Sequence, residues 1–377
     1  MRPAILLIGP EAPPSGGMAL QAKQLVELLR SDGNVVSFFP SNLPFPRGLR
    51  FLNRLPGVRT LFRAAMIWPA LWRAMRDTQV IHVLAASWVY FFSVVCPAVI
   101  LGRLRHKRVL LNYRGGEAER FFRRWGWLIA PVFRNAAEVT TPSRFLAKVI
   151  EERFAVSVRI VPNVIDASLF PFRHRPAIEP RFLVARNLEI MYGVDLVLRA
   201  FAAIQERHPN ASLSIAGTGS CEQDLRALAA GLNLRNIRFL GQVRHESLPE
   251  IYAQCDVLLN ASRVDNFPST LLEGSAAGLI VVSTATGGIP FMYRHGENAL
   301  LVEPGDWQAL AGAVEKVLES PSLAAALVIS GRKLADSCQW NQVRKHLYAA
   351  YAMDANRPVG GTRAAAAAER IVTDRTG

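Results

Sequence analysis

Cysteine is scarce in this chain. Its four residues, Cys96, Cys221, Cys255 and Cys338, sit apart among apolar neighbours, with neither metal-ligand spacing nor the spacings of a disulfide framework. That excludes a zinc module and a cystine-stapled secreted domain, and it fits a reducing compartment. Gly217-x-Gly219 follows an apolar run as a dinucleotide fingerprint would, but Glu222 stands where the third glycine belongs. NAD binding is excluded on that ground. Residues 85–102 form an uncharged run of 18, barely enough to span a bilayer and interrupted by Pro97. It reads better as a buried crossover helix between two strands. No charged-then-apolar leader precedes the first apolar run, AILLIG, so a cytoplasmic protein is expected.

Acidic residues are short in one half only. The 377 residues carry 44 Lys+Arg against 30 Asp+Glu, a formal charge of +14. Residues 1–165 hold 23 and 9 of these, and the remainder balances at 21 of each. So concentrated an excess points to an anionic partner for the N-terminal half: a membrane surface, a phosphate-bearing lipid or an acidic polysaccharide. An arginine-rich composition by itself would give the same count. Neither a basic recognition helix nor an aromatic platform accompanies the charge, so nucleic acid is not expected. Within residues 44–76, Arg47, Arg50, Arg54, Arg59, Arg63, Arg73 and Arg76 alternate with Phe, Leu and Trp. Such a segment can lie on an anionic membrane, or it can pack one face on a sheet and leave its arginines in water.

Half of the residues are apolar and a fifth charged, and the length suffices for two domains with full cores. Apolar runs of strand length alternate with helical periodicity, the pattern of parallel α/β layers. AILLIG leads to Gly16-Gly17 and a helix with Met18, Ala22, Leu25 and Leu29 on one face. RVLLNY ends at Arg114-Gly115-Gly116, with Glu117 next, and Ser143 suits a helix N-cap. The most informative stretch is 256–306. There VLLN is a strand, 265–267 a loop, Pro268 a helix start, Gly278 a helix stop, LIVVST a second buried strand, and Gly287-Gly288 follow at once. Both loops then lie at one end of a parallel sheet, beside a helix N-terminus that favours phosphate.

This stretch resembles the donor-binding core of the retaining nucleotide-sugar glycosyltransferases of family 4, which have the GT-B fold. The resemblance rests on an acid, seven residues and Glu, here Asp265 and Glu273, then a helix of short residues, a strand and Gly287-Gly288-x-Pro290. It runs from Leu7 to about Tyr351, through Pro142-Ser143, Pro162-Asn163-Val164-Ile165-Asp166, Arg186 and the strand before Gly241. The fold it implies is α/β: two Rossmann-like parallel-sheet domains facing across a cleft, with a C-terminal helix crossing back to the first. The expected parts are an acceptor-side domain 1–170, a polar linker 171–180, a donor domain 181–339, the crossover helix 340–354 and a loose tail 355–377.

The resemblance also implies roles. Asp265 would hydrogen-bond the transferred sugar, Glu273 the donor ribose, and Arg186 would stabilise the leaving diphosphate. Gly16, Gly17, Gly287, Gly288 and the backbone of Phe267, Ser269 and Thr270 would approach phosphate or sugar. Gly241 and Val243 would meet the nucleobase through backbone groups, and Arg114 and Glu117 would lie on the acceptor side. This chain departs from the family in four places: Asp265 where Glu is more usual, Phe291 where Glu often follows the proline, Arg114 where relatives have His, and Met191-Tyr192 where a Lys is usual. The activity implied is hexose transfer from a nucleotide-sugar to a glycan or lipid-linked acceptor with retention. It needs neither metal nor cofactor beyond the co-substrate, and its place would be the cytoplasm or the inner face of the cytoplasmic membrane. A nucleotide-sugar epimerase of the same fold and a non-catalytic sugar- or lipid-binding relative are the alternatives.

Overall fold

The computed structural model describes residues 3–12, 17–43, 56–175 and 177–354, the side chains of 56–64 excepted. Gly16, Arg47, Arg50, Arg54, the side chains of Arg59 and Arg63, and the tail 355–377 lie outside the described residues. The chain divides into two compact units, one of Met1–Val164 with Val343–Gly377 and one of Ile165–Gln342.

The first unit holds six parallel strands: β1 (Ile5–Gly9), β2 (Val36–Pro40), β3 (Val80–Ala85), β4 (Arg108–Tyr113), β5 (Glu138–Thr141) and β6 (Val158–Ile160). Their order is β2-β1-β3-β4-β5-β6. β1 and β3 are buried at every residue, as strands covered on both faces must be, and this is why they read as unbroken apolar runs. The covering helices are α1 (Gly17–Ser31), α2 (Pro56–Ala74), α3 (Cys96–Leu104), α4 (Ala118–Asn135) and α5 (Arg144–Phe154). As expected, the Ser143 hydroxyl caps α5 by accepting from the Leu146 N–H. The uncharged run 85–102 becomes a π-helical turn, Phe91–Val95, leading into α3. The wider turn precedes Pro97, which has no N–H to give and sits harmlessly in the first turn of α3. Among the described residues, no helix is long and apolar enough to cross a membrane.

In the second unit, β7 (Arg181–Ala185), β8 (Ser212–Ala216), β9 (Ile237–Gly241), β10 (Val257–Asn260), β11 (Ile280–Thr284) and β12 (Leu300–Val302) are parallel in the order β12-β11-β10-β7-β8-β9. Around them lie α6 (Val194–Arg207), α7 (Glu222–Gly231), α8 (Leu248–Ala253), α9 (Ser269–Ala276), α10 (Ile289–Met292), α11 (Trp307–Glu319) and α12 (Pro321–Ser337). The last helix, α13 (Trp340–Tyr351), is built into the first unit along most of its length. There the Tyr348 hydroxyl donates to Asp32 at 2.8 Å and accepts from Asn34 at 2.8 Å.

The units divide at Val164/Ile165, earlier than the expected 170/171. Ile165, Ala167 and Phe170 are apolar enough to join the core of the second unit, where all three are buried. Nor is 171–180 a free linker. The Arg175 side chain, 1% exposed, donates to Asp256 Oδ1 at 2.7 Å and to the carbonyls of Cys255, Ala277 and Gly278. Arg181 holds the other oxygen of Asp256 at 2.6 Å, so the segment is stapled under the second sheet.

Candidate active site

In an open parallel sheet, ligands bind beyond the carboxyl ends of the strands, where the strand order reverses. In the second unit that point lies between β7 and β10, which are hydrogen-bonded neighbours although far apart in sequence. Arg186 follows β7 and Asp265 lies in the loop after β10, so the topology alone brings them together. The Arg186 Nη2 donates to Asp265 Oδ2 at 2.5 Å, and its Nε donates to Asn260 Oδ1 at 3.1 Å. Its guanidinium also lies 5.3 Å from the ring centroid of Tyr192, which stands in the short 3-10 turn before α6. Tyr192 thus supports Arg186 by a cation–π contact.

Two glycines let the loops close on each other. A Cβ on Gly287 would lie 2.0 Å from the Asp265 carbonyl oxygen, and one on Gly288 would lie 1.8 Å from that of Asn266. The Gly288 N–H donates to the Asp265 carbonyl at 2.9 Å. No side chain fits either position, and Gly287 also has a positive φ of 54°. The backbone of Asp265 is therefore fixed by Gly287-Gly288, and its carboxylate by Arg186. Phe267 precedes Pro268, and Ser269 and Thr270 open α9. Gly241, at φ 68°, ends β9, and Val243 follows in the loop toward α8. The Gly217 backbone, at φ 144°, lies against the Arg186 carbonyl and shapes the loop that carries it.

Glu273, on α9, is 5% exposed and held at both oxygens. The Tyr252 hydroxyl donates to Oε2 at 3.1 Å, and His245 Nε2 lies 3.5 Å from Oε1. The hydrogen bond to Glu273 raises the His245 pKa above its ordinary value, against the opposing effect of burial. Burial and the Glu273 charge push the Tyr252 phenol well above its ordinary range, so it stays protonated. Sequence reasoning named neither residue. The one available signal was a lone titratable residue just beyond the loop assigned to the base.

In the first unit Gly17 opens α1, while Arg114 follows β4 in a buried polar chain. Arg114 donates through Nε to Asn112 Oδ1 at 3.1 Å and through Nη1 to Asn163 Oδ1 at 2.6 Å. A guanidinium offers donors only. Asn112 must therefore turn its Nδ2 toward His82 Nε2, 3.1 Å away, which leaves His82 Nδ1–H to donate to the Tyr351 hydroxyl at 2.7 Å. Burial first, and then the Arg114 charge, lower the His82 pKa to about 3. Burial lowers that of Arg114 to about 10. Glu117 stands apart from this chain, accepting from Trp88 Nε1 at 2.7 Å and pairing with Arg120 at 3.3 Å.

Residues 15–169 match the family model described as Glycosyltransferase Family 4, and residues 170–334 match Glycosyl transferases group 1. The chain is 27% identical over 295 residues to a GDP-mannose-dependent alpha-(1-6)-phosphatidylinositol monomannoside mannosyltransferase of Mycolicibacterium smegmatis, covering 69% of this chain and 74% of that one. It is 29% identical over 225 residues to a glycogen synthase of Mycobacterium tuberculosis, covering 58% and 53%. Among solved structures, Anabaena HepE in complex with UDP and glucose aligns with a TM-score of 0.71 at 18% identity, over 93% of this chain and all of that one. Sucrose-phosphate synthase of Thermosynechococcus elongatus aligns with 0.71 at 22%, over 93% and 98%. The fold is that of the GT-B glycosyltransferases. The chain belongs to glycosyltransferase family 4.

Proposed function

We propose that this protein moves a hexose from a nucleotide-sugar to a glycan or lipid-linked acceptor with retention at the anomeric carbon and without a metal. The observation that carries this reading is the cluster of Arg186, Asp265 and Gly287-Gly288 at the strand-order reversal of the second sheet. One cation, one carboxylate and the start of a helix suit a diphosphate beside a polyol.

In this mechanism Arg186 binds the diphosphate and Asp265 accepts from hydroxyls of the transferred sugar. The anomeric C–O bond breaks, and its electron pair leaves with the diphosphate, whose charge Arg186 stabilises. The acceptor hydroxyl oxygen bonds to the anomeric carbon on the same face, and its proton passes to the departing phosphate oxygen. Such same-face attack requires no carboxylate nucleophile, in contrast to a retaining glycosidase.

The membrane reading draws support from the first unit, where α2, α3 and α4 lie side by side. They expose Trp68, Trp72, Ile100, Leu104, Trp127 and Leu128. Arg73, Arg103, Arg120, Arg123 and Arg124 stand exposed among them. Exposed apolar groups and arginines on three neighbouring helices suit an anionic bilayer that presents a lipid-linked acceptor.

The test is thermal shift with UDP-, GDP-, ADP- and dTDP-sugars in the presence of a chelator. A selective rise for one nucleotide supports a metal-independent donor site and identifies the base. No rise with any of them, in a wild type as silent as Arg186→Ala, rejects it.

A further inference from the structure

The partners of Glu273 differ in one physical respect. Tyr252 is fully buried and keeps its proton at every working pH, shared between Glu273 Oε2 at 3.1 Å and the Thr270 carbonyl at 3.2 Å. His245 is the partner whose charge can change. It opens the short 3-10 turn His245–Ser247, directly after the loop that carries Gly241 and Val243. The imidazole is set in place from two sides: Nε2 faces Glu273 Oε1 at 3.5 Å, and the ring meets Phe170 edge-on at 5.8 Å. The acidic groups around it, Glu273 on α9, Glu246 in its own turn and Asp166 from the segment entering the second unit, favour the cation; burial opposes it. A carboxylate as buried as Glu273 is stable only when its charge is met by donors of this kind.

We propose that His245 is a positioning residue for the donor ribose, which in its cationic form holds the Glu273 carboxylate in the orientation that accepts the ribose hydroxyls. This rests on the reading that Glu273 meets the ribose. With Tyr252 on Oε2 and His245 on Oε1, each carboxylate oxygen still has accepting capacity left for a ribose hydroxyl. Loss of the imidazolium frees the carboxylate to swing about the Tyr252 contact and to take up water. The link also couples the sugar to the base, since the turn that carries His245 continues from the Gly241–Val243 loop.

The sign follows from the direction of the shift. His245 has a pKa above its ordinary value, so the cation persists to higher pH than in a free imidazole and disappears above the raised value. Ribose affinity is then high on the acid side of that value and falls on the alkaline side.

The experiment is calorimetric titration of UDP, GDP and inorganic pyrophosphate into wild type, His245→Ala, His245→Gln and Arg186→Ala, from pH 6 to pH 9. The nucleoside diphosphate that wild type prefers is expected to bind roughly 3- to 10-fold more weakly to His245→Ala, and its wild-type alkaline loss to vanish in both His245 variants. His245→Gln should recover part of the affinity through its amide N–H. Pyrophosphate carries no ribose, so its affinity should be the same in wild type and His245→Ala and should drop in Arg186→Ala. Wild-type affinity and an unchanged pH profile in His245→Ala overturn the inference while leaving the donor site standing. An equal loss for pyrophosphate overturns it too, because the effect is then general to the site. If wild type binds none of UDP, GDP, ADP and dTDP, the donor reading itself falls.

Discussion

Arg186 and Asp265 are 79 residues apart in the chain, yet the guanidinium donates to the carboxylate at 2.5 Å, with each side chain only 11% exposed. In this state the cation that would receive a diphosphate is occupied by the acid that would receive a sugar. Replacing Asp265 with Ala therefore has two opposite consequences. Sugar transfer should fall by roughly 100- to 1000-fold, the scale for loss of one preorganised polar contact. Binding of free UDP or GDP should persist or tighten, since Arg186 loses its competitor. Arg186→Ala should lose both. Parallel kinetic and calorimetric titrations decide this, and equal loss of nucleotide binding in the two variants would falsify the division of roles.

Gly287 and Gly288 offer a steric test. Alanine at either must displace backbone, because the new Cβ would collide with the carbonyl of Asp265 or Asn266. Each variant should keep its far-ultraviolet circular dichroism and lose about 100-fold or more in kcat/KM, on the scale of a misplaced reacting group. Near-normal activity would mean that the loop contact is irrelevant to the site.

Asp256 is 0% exposed and gripped by Arg175 and Arg181. Its removal leaves a buried guanidinium without its carboxylate, a change that costs about 3–5 kcal/mol. Asp256→Ala should lower the urea midpoint of the second unit by a corresponding amount, far more than Asp195→Ala, whose pair with Arg263 is over a third exposed on both sides. Comparable midpoints for the two variants would refute the staple.

His82 makes acid sensitivity predictable. Its folded pKa is about 3 against an ordinary 6.5. The unfolded chain therefore takes up a proton below about pH 6.5 that the folded chain refuses. Stability from this group is complete above that pH and declines as pH falls toward 3, by at most about 1.4 kcal/mol per pH unit. Urea midpoints at pH 7 and pH 4 should differ less in His82→Gln than in wild type. The same acid loss in both would mean that the imidazole is not held neutral.

The basic, apolar face of α2, α3 and α4 is open to a direct binding assay. Trp127 is 74% exposed, more than any core-seeking role allows. Trp127→Ser combined with Leu128→Ser should weaken sedimentation with phosphatidylglycerol vesicles roughly tenfold, the order expected from losing partial burial of two large side chains. Added salt should weaken wild type further. Unaltered vesicle binding would remove this face from consideration.

Local signals carried much of this protein in advance. Buried strands announced themselves as unbroken apolar runs because parallel strands covered on both faces tolerate no polar alternation, as β1 and β3 do not. Ser143 and Gly278 marked helix ends because capping is chemistry between neighbours. The pattern of Asp265, Glu273 and Gly287-Gly288 was readable for the same reason, being one strand–helix–strand unit of continuous chain.

What lay beyond local reach was every partner supplied by a distant segment. Nothing near residue 175 foretold that its arginine would be buried on Asp256, since the carboxylate that meets its charge is 81 residues away. The polar look of 171–180 suggested a linker, and the tertiary structure made it a staple. Likewise the sequence determined that Glu273 would lie on the helix that follows the Asp265 loop. Only the fold, by bringing the turn after β9 and Tyr252 of α8 to α9, decided that His245 and Tyr252 would hold it. Hydrophobic periodicity is written along the chain, whereas pairing between charges depends on distances that exist only after the strands have taken their order.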